Sequence, residues 1–254
     1  MDLGLAGRVY VVSGGSRGLG RATAEALVAD GARVVVGARD EAAVERAAQE
    51  LGGPAHAVGV TADLGRAASA QRLVEAAHSA YGGLDGALVS VGGPPPGTGL
   101  ETEEEAWRAA FESVFLGALR LVRQVAGALG DEGGSIALVL SSSVRTPIPG
   151  LAISNGLRPG LAGMTKTLAT ELGPRHIRVN GLLPGRISTD RTVEVDNASG
   201  DPAGTAQRSE ARIPLGRYGE PAEFGKVAAF VLSPAASYVT GSMVTVDGGM
   251  MPTW

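Results

Sequence analysis

Cysteine is absent from the 254 residues. Disulfides and thiolate metal sites are therefore excluded, and the chain suits a reducing compartment. Aromatic residues make up only 4%, so the core must be aliphatic. No apolar run approaches the roughly 20 residues a membrane helix needs. The net charge of −4 supplies no basic field for nucleic acid. Met1-Asp2-Leu3-Gly4-Leu5-Ala6-Gly7-Arg8 lacks the basic-then-apolar layout of a secretory signal. Together these absences predict a cytoplasmic protein with no membrane and no nucleic-acid partner. Lysine is nearly absent too, with only Lys166 and Lys226. The three histidines, His56, His78 and His176, share no metal-ligand spacing.

What the chain has in excess is glycine, 39 residues, about twice the usual share and suited to many tight strand–helix turns. The stretch Val9-Tyr10-Val11-Val12-Ser13-Gly14-Gly15-Ser16-Arg17-Gly18-Leu19-Gly20 reads as an apolar strand, a glycine turn and the start of a helix. A backbone without Cβ turns sharply and approaches a pyrophosphate closely, with the helix N-terminus facing the anion.

The same alternation continues along the chain. Further strands are predicted at Arg33–Val36, Ala57–Val60, Gly86–Val91, Ile136–Leu140, Arg178–Leu183 and Met243–Val246. Helices are predicted from Asp40 to Leu51, Ala67 to Tyr81, Asn155 to Leu172 and onward from Pro221. Thr102 and Glu105 have capping-box spacing and open a long helix carrying Trp107, Phe111, Val114, Phe115, Leu121 and Val125. Apolar strands separated by helices predict one domain over residues 1–254. Its class is α/β, a doubly wound parallel sheet of about seven strands with helices on both faces, the Rossmann fold. Ser188 to Arg212, polar and without period, is expected to be a flap near the site.

The pattern Gly14-x-x-x-Gly18-x-Gly20 does not fit a phosphate-loop NTPase, since Arg21-Ala22 stands where Lys-Ser/Thr is required. A methyltransferase would want an acid after the second strand, where this chain has Gly37-Ala38-Arg39. An acid there selects NAD through the ribose 2′-hydroxyl, whereas an arginine accommodates the 2′-phosphate of NADP. Arg17 and Arg39 together are the expected two-guanidinium clamp.

Ser13-Gly14-Gly15-Ser16-Arg17-Gly18-Leu19-Gly20 resembles the T-G-x-x-x-G-x-G of the short-chain dehydrogenase/reductase family, with Ser for Thr. Val179-Asn180 with Pro184-Gly185-Arg186-Ile187-Ser188-Thr189 resembles its V-N-x-x-x-P-G-x-I-x-T segment. Val246-Asp247-Gly248-Gly249 is similar to its closing passage. The resemblance covers nearly the full chain and is of the 3-oxoacyl-carrier-protein-reductase kind. It implies a Rossmann domain binding NADP along Ser13, Gly14, Ser16, Arg17, Gly18, Leu19, Gly20 and Arg39. Asp63 and Leu64 would meet the adenine. Ser90 and Gly92 match part of the family's N-N-A-G, and Pro184, Gly185, Ile187 and Thr189 would lie along the nicotinamide. It also implies a small-molecule substrate and a homo-oligomer, dimer or tetramer.

The departures fall on the chemistry. The family's Tyr-x-x-x-Lys is absent: four residues after the four tyrosines stand Gly14, Asp85, Ala222 and Ser242. Alignment puts Ser154 at the tyrosine and Arg158 at the lysine, with Arg158 available to the cofactor ribose as well. The family's helix asparagine falls on Val114, and its serine on Ser141 or Ser142, with Ser143 also open. A serine hydroxyl is a far weaker acid than a phenol, and an arginine does not trade protons near neutrality. Arg158 can still polarise a carbonyl or stabilise an alkoxide. Two functions from different classes stay open. One is an atypical NADP(H)-dependent oxidoreductase using Ser141, Ser142, Ser154 and Arg158 on a carbonyl/alcohol pair. The other is a catalytically silent NADP-binding protein, a sensor or structural partner. Arg145, Arg158 and Arg186 add the expectation of an anionic substrate.

Overall fold

In the strand Val9–Ser13 (β1) every residue is buried, but successive side chains enter different cores. Val9 and Val11 join one apolar cluster, while Tyr10 and Val12 join another. That is the period-2 geometry of a strand covered on both faces, and it explains why the sequence shows a continuous apolar run rather than alternation. The structure is a computed structural model describing residues 2–197 and 200–252.

From β1 the chain runs through α1 (Gly18–Ala29), β2 (Arg33–Ala38), α2 (Glu41–Glu50), β3 (Ala57–Thr61), α3 (Ala67–Tyr81) and β4 (Gly86–Val89). Then come α4 (Glu104–Ala110), a π-type widening over Phe111–Leu116, α5 (Gly117–Ala128), β5 (Gly134–Val139), α6 (Ala152–Leu172) and β6 (Ile177–Pro184). α7 (Asp190–Asn197), α8 (Pro202–Glu210), α9 (Pro221–Leu232) and β7 (Met243–Val246) complete it. The seven strands lie in the order β3-β2-β1-β4-β5-β6-β7 and pair in parallel throughout. This is the expected single-domain Rossmann-type α/β fold. The strand order reverses between β1 and β4, and the crevice beyond the carboxyl ends of the strands at such a switch point is where this architecture binds ligands. Among the described residues no helix is long and apolar enough to cross a membrane.

Two local expectations are corrected, and a third is filled in. Thr102 and Glu105 form no capping box. The Thr102 hydroxyl donates to Thr98 O, and Glu103 becomes the N-cap of α4. The helix expected from Asn155 starts at Ala152, behind Leu151, which offers no capping side chain. Asn155 imitates a helix start because its amide serves the preceding loop: Oδ1 accepts from Ile148 N (3.0 Å) and Nδ2 donates to Ile148 O (2.8 Å). The flap contains two short helices, α7 and α8. α8 buries none of its residues, so no apolar period marked it in the sequence.

Candidate active site

A cleft of about 1740 Å³ opens at the carboxyl ends of the strands. Its walls are the β1–α1 turn, the ends of β2, β4, β5 and β6, the start of α6, and the α7–α8 flap. Arginines outnumber acids along it, although the chain as a whole is net negative.

At one end, the β1–α1 turn is built from glycines that nothing else can replace. Gly14 has φ +62°, and a Cβ there would lie 2.8 Å from Ser90 O. A Cβ on Gly20 would strike Gly14 O. The N-terminus of α1 has no side-chain cap and no acid in its first turn. Its first N–H groups and the positive dipole end therefore face the cleft without a capping side chain or an acid of the helix itself. Ser13, Gly14, Ser16, Arg17, Gly18, Leu19 and Gly20 all line this end, with Arg39 at the end of β2 and Asp63 and Leu64 after β3. Ser13 is an internal tie. Its Oγ donates to Ser90 O (2.9 Å) and accepts from Ser90 N (2.9 Å), clamping β1 to the end of β4. One Asp63 oxygen accepts from Gly65 N at 3.0 Å. Arg17 pairs with Asp190 at 3.2 Å, but both side chains are two-thirds exposed, so the pair is weak and displaceable. Arg39 is exposed at the rim.

At the other end, Ser154 and Arg158 lie one helical turn apart on α6 and share its buried face. Arg158 is only 5% exposed, and no carboxylate pairs with it among the described residues. It is held by carbonyls: Nη1 donates to Val139 O (2.7 Å) and Nη2 to Gly92 O (3.5 Å). Burial, and secondarily the neighbouring Arg191 cation, pull its pKa down to about 10. At neutral pH it is a desolvated cation facing a cavity, a costly arrangement without an anion. The Ser154 hydroxyl lies 3.2 Å from that of Ser143. Ser141 and Ser142 line the cleft and Ser143 does not. Ser141 Oγ accepts from Ser143 N (3.0 Å), so Ser143 joins Ser154 to the β5 end instead of facing the cavity. Val114 lies in the π-type segment and also lines the cleft, a widening often found at functional sites. Ser90, Gly92, Pro184, Gly185, Ile187 and Thr189 complete the wall between the two ends. Apart from Ser143 and Arg145, the residues expected at the site thus border one cavity.

Of the three arginines expected to attract an anion, Arg186 is neutralised. It pairs with Asp196 at 2.6 Å, and Tyr218 donates to the second oxygen of the same carboxylate at 3.0 Å. Arg145 does not line the cleft. The residue missed is Arg191, whose Nη2 reaches from α7 to Pro94 O at 2.6 Å. It had no motif to reveal it. The Asp196 tie fastens α7 to the end of β6, so Asp196→Ala should lower stability by about 1.5–3 kcal/mol. Denaturant melts check this, and an unchanged midpoint would show that the tie is dispensable.

The profile of the Enoyl-(Acyl carrier protein) reductase family matches residues 14–251. An uncharacterised oxidoreductase of Methylorubrum extorquens is 38% identical over 252 residues, 97% of this chain and 98% of that protein. Human dehydrogenase/reductase SDR family member 4 is 35% identical over 251 residues, covering 96% of this chain and 88% of the relative. The crystal structure of L-sorbose reductase from Gluconobacter frateurii, complexed with NADPH and L-sorbose, superposes with a TM-score of 0.93 at 31% identity, covering both chains fully. The glycine turn, the strand order and these full-length matches agree: the chain belongs to the short-chain dehydrogenase/reductase family.

Proposed function

We propose that the chain is an NADP(H)-dependent oxidoreductase acting on a carbonyl/alcohol pair, in which Arg158 supplies the electrostatic stabilisation at the substrate oxygen. The observation that carries this reading is the buried, carboxylate-free Arg158 guanidinium in the same cleft as an uncapped, glycine-cradled helix N-terminus. The donor set fits the cofactor: open N–H groups of α1 for the pyrophosphate, Arg17 and Arg39 for a 2′-phosphate, and Asp63 for the adenine. Relatives of known structure support it, since the L-sorbose reductase was solved with NADPH.

When bound, the nicotinamide supplies or accepts the hydride. As the carbonyl oxygen takes up the electron pair, negative charge develops on it, and the fixed Arg158 cation stabilises that charge. Because Arg158 keeps its proton at neutral pH, the oxygen draws its proton from water. The Ser154 hydroxyl, hydrogen-bonded to Ser143, can accept that proton while releasing its own, so neither serine need ionise. Ser141 and Ser142 offer further hydroxyls to the substrate from the β5 end.

A second reading, a catalytically silent NADP-binding protein, draws on the engagement of Arg158 Nη1 by Val139 O and on the absence of a phenol acid. One experiment separates the two. NADPH fluorescence titration measures binding, and a panel of aldehydes and ketones then tests for NADPH oxidation. Binding with turnover is expected. Binding without turnover across the panel would favour the silent reading, and no binding of NADPH would overturn both.

A further inference from the structure

The cleft holds a second guanidinium beside Arg158, brought there by a different wall. Arg191 projects from α7 of the flap onto the loop that follows β4. It lies so close over Gly93 that a Cβ there would sit 2.5 Å from its Nε, and its Nη2 donates to Pro94 O at 2.6 Å. Arg158, from α6, reaches Gly92 O. Two cations carried by segments 33 residues apart in sequence (158 to 191) thus converge on the consecutive residues Gly92, Gly93 and Pro94. The Arg191 charge is, after burial, the second cause of the lowered Arg158 pKa. Among the described residues Arg191 pairs with one acid, Glu194 at 3.3 Å on the same helix, in a partly exposed pair of little strength. Arg158 has none among the described residues. Folding does not bring a buried cation and a second like charge together at one wall of a cleft without cost, and an anion between them reduces it.

Resting on the function proposed above and deepening it, we propose that the substrate carries a carboxylate, received between Arg158 and Arg191, and that its binding latches the α7–α8 flap over the cleft. Arg158 is buried on α6 and Arg191 is carried by α7 of the flap, so one carboxylate bridging both would tie the flap to the wall of the cleft. A planar guanidinium matches a carboxylate through paired N–H donors, and an ester of the same acid retains the shape but loses the charge.

The test uses the full chain saturated with NADP⁺, so that added anions do not compete at the glycine turn. Calorimetry compares pyruvate, acetoacetate and levulinate with their methyl esters, and with inorganic phosphate. At least one acid is expected to bind about tenfold or more tightly than its ester. That preference should largely vanish in Arg191→Met and partly return in Arg191→Lys. The bound acid should also slow cleavage by a glutamyl endopeptidase at Glu194 and Glu210 in the flap. No preference for acid over ester in any of the three pairs would overturn the proposal, as would a preference unaltered by Arg191→Met. Phosphate binding as tightly as the best acid would overturn the carboxylate assignment. If NADP⁺ itself fails to bind, the proposed function falls and this inference with it. If NADP⁺ binds and the acids show no preference, only this inference falls.

Discussion

Arg158→Met lowers kcat/KM for carbonyl reduction by about 10²–10³-fold, the usual effect of removing one preorganised donor to a developing oxyanion. The side chain removed is a cation buried to 5% exposure with carbonyl partners only. Its loss leaves Val139 O without a donor, which costs about 1–3 kcal/mol. It also removes an unpaired buried charge, and that relief works in the opposite direction. The variant therefore folds, and its defect is chemical. Arg158→Lys keeps the charge on a shorter arm without the planar fork and should restore part of the rate. NADPH affinity should fall by no more than about tenfold, the worth of one charge-assisted hydrogen bond to the ribose. Steady-state kinetics with parallel fluorescence titration measures both quantities. Equal loss of binding and turnover would mean that Arg158 serves the cofactor alone.

Arg39→Asp exchanges cofactor preference. Arg39 stands exposed at the end of β2, at the rim of the cleft, where an acid binds the ribose 2′-hydroxyl and repels a 2′-phosphate. The lost guanidinium–phosphate contact, together with the new repulsion, should weaken NADPH binding by about 10²-fold while NADH binding improves. In the proposed clamp Arg17 has a competing partner, Asp190, at 3.2 Å. Arg17→Ala should consequently have a smaller effect than Arg39→Asp. An unchanged ratio of NADPH to NADH affinity in Arg39→Asp would remove Arg39 from the phosphate site.

The strands were legible because burial on both faces leaves unbroken β-branched runs, as in Val34-Val35-Val36, whose residues divide between the two cores. The glycine turn was legible because its backbone dictates its residues: a Cβ on Gly20 would strike Gly14 O within the same turn, and one on Gly14 would meet Ser90 O beyond β4. At the proposed substrate end the sequence supplied residue types but not their arrangement. That Ser143 supports Ser154, leaving Ser141 and Ser142 to the cleft, follows from the turn after β5 and not from any spacing. Arg186 looked available in sequence because its partner Asp196 lies in a helix without apolar period. Arg191 gains its place from a contact with Pro94, 97 residues away, which no local pattern encodes. Asn155 shows the opposite failure, a helix-start signal whose amide is used on the loop before it.

The central claim is that a fixed cation, and not a titrating acid, serves the substrate oxygen. The most direct measurement is the pH dependence of kcat with the best carbonyl of the panel. Burial holds the Arg158 pKa at about 10, below its ordinary value, and the protonated form is the active one, so activity must be lost as pH rises through that value. The account predicts a flat profile from about pH 6 to 9 followed by a single fall near pH 10, with the fall displaced in Arg158→Lys. A profile that titrates within the flat range and is unaltered in Arg158→Lys would contradict it.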